Sequence, residues 1–188
     1  MTTITNDSLT TAQQDMREAY QHGAPGVLAS ALVWVSAATV AVQAGAEMAV
    51  WALLIGGIFI HPLGLLLARL AGRKATHQKS NPLGPLALEN TLWLMFSLPL
   101  TYGLSLYRLD WFFPAMLLVI GGRYLTFQTL YGLKLYWACG ITLAIAAFVV
   151  LATQANAATG AIAGAMIELL FAALLYKQAQ QAVQARLD

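Results

Sequence analysis

Met48–Ala68 reads MAVWALLIGGIFIHPLGLLLA, twenty-one residues without one Asp, Glu, Lys or Arg. A hydrocarbon core about 30 Å thick is crossed by roughly 20 apolar helical residues, and an α-helix satisfies its own backbone hydrogen bonds in lipid. This stretch is therefore expected to span a membrane. Five more segments of the same kind surround it: Ala24–Ala44, Pro85–Leu106, Trp111–Tyr131, Trp137–Gln154 and Gly160–Lys177. The alternating ten-residue strands of a membrane barrel are not seen. The composition agrees, since 59% of the 188 residues are hydrophobic and 10% charged, with a mean hydropathy of +0.66, whereas soluble domains carry roughly 25% charged residues. The expected fold class is all-α, a polytopic six-transmembrane-helix bundle with a short N-terminal interfacial helix.

Three regions follow: a polar segment over 1–23, the membrane domain over 24–177, and a helical tail over 178–188. Thr11 and Gln14 have the spacing of a capping box, followed by a helix-compatible Asp15–Gln21 that Gly23 and Pro25 interrupt. The start lacks the basic and short apolar regions of a secretion signal, so the first span is expected to act as the uncleaved insertion signal. With the N-terminus inside, eight cations (Arg17, Arg69, Arg73, Lys74, Lys79, Lys134, Lys177 and Arg186) fall on the cytoplasmic side and only Arg108 outside. That asymmetry is expected to place both termini in the cytoplasm. The longest connection, Arg69–Gly84, carries four of these charges.

Ionisable residues within spans are the informative ones, because each is costly unless it faces protein or water. Arg123 lies twelve residues into the fourth span, Glu168 near the middle of the sixth, His61 in the second, and Glu89 one turn inside the third. Gly160, Gly164 and Glu168 recur at intervals of four, a spacing that lets helices approach closely and turns the carboxylate toward a neighbour. At 1.5 Å rise per residue, His61, Arg123 and Glu168 reach nearly one level, with Glu89 below. Gln128, Asn90 and Thr91 are possible lining groups. Two readings of this layer stay open: a polar hollow open to the cytoplasm, or an Arg123–Glu168 clasp that fixes helix register.

Several chemistries are excluded. There is no phosphate-binding Gly-rich loop and no His-Glu-x-x-His pair, no Gly-x-Gly-Asp, and one cysteine (Cys139), so neither metal sites nor resident cofactors are expected. Gly103-Leu104-Ser105-Leu106 faintly resembles intramembrane serine proteases, but Ser105 and His61 belong to opposite ends of the bundle. The run from His61-Pro62-Leu63-Gly64 through Trp111-Phe112-Phe113-Pro114 to Gly121–Gly132, with Met16–Tyr20, resembles a family of small multi-spanning bacterial inner-membrane proteins with no assigned function. The resemblance implies bacterial origin and architecture, with no catalytic residues to transfer.

The expected function is that of a small-solute carrier or channel-like protein. Arg123, Glu168, Glu89, His61 and Gln128 would form the layer that meets an anionic or zwitterionic small molecule. A non-catalytic scaffold or lipid-binding protein is the alternative, and a lipid enzyme with Glu89 or His61 as acid/base a further one. The partners expected are the lipid bilayer and a second copy, docked through Gly160 and Gly164, with no nucleic acid.

Overall fold

A computed structural model describes residues 6–185, with side chains from residue 8; Arg186, one of the eight inward cations, lies outside the described residues. Among the described residues every regular element is helical, with no strand. Seven α-helices follow in order: α1 (Asn6–Tyr20), α2 (Ala24–Ala44), α3 (Ala46–Leu70), α4 (Gly84–Tyr107), α5 (Phe112–Tyr131), α6 (Leu135–Ala152) and α7 (Ala157–Gln184). Among the described residues, four stretches are long and apolar enough to cross a membrane: Ser8–Ala44, Ala46–Leu70, Leu135–Ala152 and Ala157–Gln184. The first contains α1 and α2, which break at Gln21–Gly23. No boundary interrupts α7 where the polar tail was expected to begin.

Helix α2 lies between α3 and α7, α5 pairs with α6, and α4 flanks α5. Glycines make the closest crossings. A Cβ on Gly121 would stand 2.8 Å from the carbonyl oxygen of Gly140, and one on Gly64 would stand 3.1 Å from the backbone of Gly26. The first leaves room only for hydrogen and the second is tighter than an ordinary Cβ contact, so each pair of helices meets backbone to backbone. The exterior is apolar over most of the bundle. Ile58, Phe59, Phe96, Phe148, Met166 and Leu170 are all exposed. Helix α4 reverses the soluble pattern: Asn90, Ser97, Thr101 and Ser105 face inward while Leu92, Trp93, Phe96 and Leu100 face out. Its hydroxyls bond their own helix, Ser97 to the Trp93 carbonyl at 2.8 Å and Ser105 to that of Tyr102 at 2.6 Å, so no polar group on this inner stripe needs water.

The two ends of the bundle differ. At one, the 71–83 connection and α1 form a polar cap. Asn81 donates to the Ala12 carbonyl at 3.0 Å and to Asp15 at 2.7 Å, while its own Oδ1 accepts from the Leu83 N–H. Tyr20 bonds His77 at 2.9 Å. Helix α1 is longer than the sequence suggested, so Thr11 lies within it and does not cap its start. Its apolar face (Ala12, Met16, Ala19) is buried against the chain and is not the free interfacial surface expected. At the other end, Asp110 accepts the first amide of α7, Ala157 N–H, at 3.1 Å. A carboxylate there complements the helix dipole, and it fixes the 108–111 turn beside the α6–α7 connection.

Candidate functional site

Glu168 enters the interior because the α7 face that carries it is built of small residues. Gly160, Ala161, Gly164, Ala165 and Ala172 are all buried, and the Trp34 ring of α2 lies directly over Gly164. One turn farther along, the Glu168 side chain is 0% exposed. Its Oε1 accepts a hydrogen bond from the Tyr124 hydroxyl of α5 at 2.8 Å, and the buried Ser30 of α2 is the other hydroxyl facing the carboxyl. Oε2 has no hydrogen-bond partner, nor has the nearby indole N–H of Trp34.

Arg123 precedes Tyr124 but is turned differently. Its guanidinium lies over the Phe127 ring at 5.2 Å, its Nε is buried without a partner, and no ion pair joins it to Glu168. Cation–π contact of this kind contributes on the order of 0.5–2 kcal/mol. From Glu168 toward the capped end runs a set of rings. Tyr124 meets Tyr136 at 5.9 Å between centroids, Tyr136 stacks on Tyr131 at 5.4 Å, and Phe127 meets both. The Tyr136 hydroxyl donates to the His22 carbonyl at 2.8 Å. That carbonyl is presented by a turn in which Gln21, His22 and Gly23 all have positive φ, and a side chain at Gly23 would collide with the Tyr136 hydroxyl. Arg17 closes the ladder: its Nη1 donates to the Tyr131 carbonyl at 2.6 Å, and Gln13 donates to that of Thr129 at 2.8 Å. The carbonyls left without helical partners at the C-terminus of α5 thus receive donors and a positive charge from α1.

Of the expected layer, the structure brings Glu168 into the interior with Arg123 at its margin. His61 and Glu89 are exposed on α3 and α4 and do not join them. Gln128 is half-buried, and its carbonyl accepts the Gly132 N–H at 2.7 Å where α5 ends. Asn90 does reach inward, donating to the Arg123 carbonyl at 3.3 Å, whereas Thr91 bonds the Ala87 carbonyl of its own helix. The two best-formed cavities, about 390 and 240 Å³, both border α1, and neither is lined by Arg123 or Glu168. Gly160 and Gly164 pack inside the chain, against Phe113 and Trp34, and so do not offer a face to a second copy. Among the described residues, no cluster of His, Cys, Asp and Glu is arranged to hold a metal. Tyr124, Ser30 and Trp34 were not foreseen. The only available signal was that a buried carboxyl requires hydroxyl donors on facing helices.

An all-helical chain with an apolar exterior and one acid sealed among its helices is a membrane protein. It belongs to the family of unknown function DUF7010, whose profile matches residues 9–178. No curated protein and no solved structure matches the chain.

Proposed function

We propose that the chain is a bacterial inner-membrane protein whose helices α2 to α7 are six spans, and that it acts as a small proton-coupled carrier working through Glu168. In this reading, residues 1–23 and 178–188 flank a membrane domain over 24–177. The capped end and both termini face the cytoplasm, as the distribution of Lys and Arg supports. The observation that carries the functional part is the Glu168 carboxyl: fully buried, held through one oxygen by Tyr124, with the other unpartnered. An intramembrane acid is costly and marks ion or proton pathways by default. Glu168 forms no direct ion pair with Arg123, so the carboxyl is not locked in a charge clasp. Arg123 supplies the positive charge that would draw an anionic or zwitterionic solute toward the acid. The packing around the carboxyl corresponds to the closed state of such a carrier, with the tyrosines between it and the cap.

The test is proton entry into pyranine-loaded proteoliposomes under an imposed pH gradient. With a panel of anionic and zwitterionic amino acids and carboxylates supplied outside, the intact protein is expected to acidify the lumen faster than protein-free vesicles for at least one of them. Glu168→Gln should abolish that difference and Arg123→Ala reduce it several-fold, while Glu89→Gln leaves it intact. No acidification by the intact protein, or full activity in Glu168→Gln, overturns the reading. A non-catalytic scaffold is the second reading, favoured by the absence of Arg123 and Glu168 from both cavities. It predicts that Arg123→Met combined with Glu168→Met folds nearly as well as the parent, since replacing both charges together strands neither.

A further inference from the structure

His61 and Glu89 lie on the outside of the bundle, exposed on α3 and α4, and neither has a hydrogen-bond or ion-pair partner among the described residues. His61 stands nine residues before the end of α3 at Leu70, about 14 Å along the axis at 1.5 Å per residue. Glu89 stands five residues after the start of α4 at Gly84, about 7.5 Å along it. With α3 and α4 as spans, both groups fall inside a hydrocarbon core of about 30 Å. Lipid chains suit the exposed apolar residues around them, Ile55 and Ile58 on α3 and Trp93 and Phe96 on α4. They offer an imidazole or a carboxylate nothing to bond. The two groups also share a level. Trp51 of α3 meets Tyr102 of α4 with ring centroids 5.5 Å apart, which fixes the register of the two helices, and the 71–83 connection joins their other ends. From that contact His61 is ten residues along α3, about 15 Å, and Glu89 thirteen residues back along α4, about 20 Å. They differ in depth by about one turn.

We propose that a second copy of this chain covers the exposed faces of α3 and α4, with the His61 imidazole donating to the carboxylate of the partner subunit's Glu89. A two-fold interface is self-complementary, so the same contact forms twice and leaves neither group in lipid. A donor on one helix and an acceptor on another, at one depth, provide the complementarity such an interface needs. Hydrogen bonds of this kind hold membrane helices together. The surface is separate from Gly160 and Gly164, whose face is filled within the chain by Phe113 and Trp34. The proposal rests on α3 and α4 being spans and does not depend on transport.

The test is the dimer fraction of the full chain in liposomes, counted by single-molecule photobleaching over a range of protein-to-lipid ratios, with the dye on Lys79→Cys in a Cys139→Ser background. The parent is expected to be dimeric. His61→Leu and Glu89→Leu should each weaken dimerisation about tenfold, since either one removes both copies of the contact. His61→Glu combined with Glu89→His rebuilds the contact in reverse and should restore parental dimerisation, which a packing role for either residue would not. In membranes, co-expressed copies carrying His61→Cys and Glu89→Cys should form an intermolecular disulfide on oxidation. A monomeric parent, undiminished dimerisation in both leucine variants, or no recovery in the exchanged variant overturns the pairing. Labelling of Tyr107→Cys from outside the cell reads separately whether α4 crosses, so a failure of the span reading is told apart from a failure of the pairing.

Discussion

Tyr124 and Glu168 join α5 to α7 by a single side-chain hydrogen bond at 2.8 Å inside the bundle, and the consequences of breaking it are asymmetric. Tyr124→Phe leaves the carboxyl buried with neither oxygen bonded to α5, which should cost about 1–3 kcal/mol. Tyr124→Phe with Glu168→Leu removes both polar partners and should cost less than Tyr124→Phe alone. Unfolding of the detergent-solubilised variants measures both. If Tyr124→Phe unfolds at the parental midpoint, the bond contributes nothing to the fold. Glu168 could be singled out from sequence because charge and depth are written there. Tyr124 could not. A tyrosine in a span carries no penalty to draw attention, and its neighbour Arg123 does. Successive residues on an α-helix are turned about 100° apart, so Arg123 faces the Phe127 ring while Tyr124 faces the acid. His61 and Glu89 illustrate the same gap: sequence gives their depth, but which way a helix is rotated depends on neighbours it meets only after folding.

Helix α7 owes its position to the absence of side chains at Gly160 and Gly164. A Cβ at Gly164 would lie 2.6 Å from the Trp34 ring, and one at Gly160 would lie 2.7 Å from the Cβ of Phe113. Gly164→Leu must push Trp34 aside, and overpacking of this kind typically costs about 1–3 kcal/mol. The expected result is a lowered unfolding midpoint with no change in oligomeric state by light scattering. A variant of parental stability that shifts the oligomer would return these glycines to an intermolecular role. The small-residue spacing was legible as a close helix crossing, while its partner was not, because the same spacing serves contacts within a chain and between chains. Helix α4 was legible as apolar for a different reason. Its lipid-compatible residues are the exposed ones, and its polar stripe of Asn90, Ser97, Thr101 and Ser105 is turned inward. That stripe lowers its average apolarity without exposing a polar face.

The assembled bundle makes the number of spans a question about one turn. Four helical stretches qualify by length and composition, while α4 and α5, which do not, are 24 and 20 residues long, about 36 and 30 Å at 1.5 Å per residue. Either would cross a hydrocarbon core of about 30 Å. If both cross, the 107–111 turn lies on the side of the α6–α7 connection. If neither does, it lies with the α1 cap, and every other connection keeps its side. Two contacts favour crossing: Asp110 accepts the Ala157 N–H at the start of α7, and at the opposite end of α5 Arg17 holds the Tyr131 carbonyl. Helix α5 therefore reaches from one end of the bundle to the other. Single cysteines at Lys79, Tyr107 and Gln154, all exposed positions, in a Cys139→Ser background that removes the one buried native thiol, would decide it in oriented cells with a membrane-impermeant maleimide. The cysteines at 107 and 154 should label from outside, and the cysteine at 79 only after the membrane is opened. A cysteine at 107 that labels together with 79 would leave four spans, and would require the α4–α5 pair to bend back within the membrane.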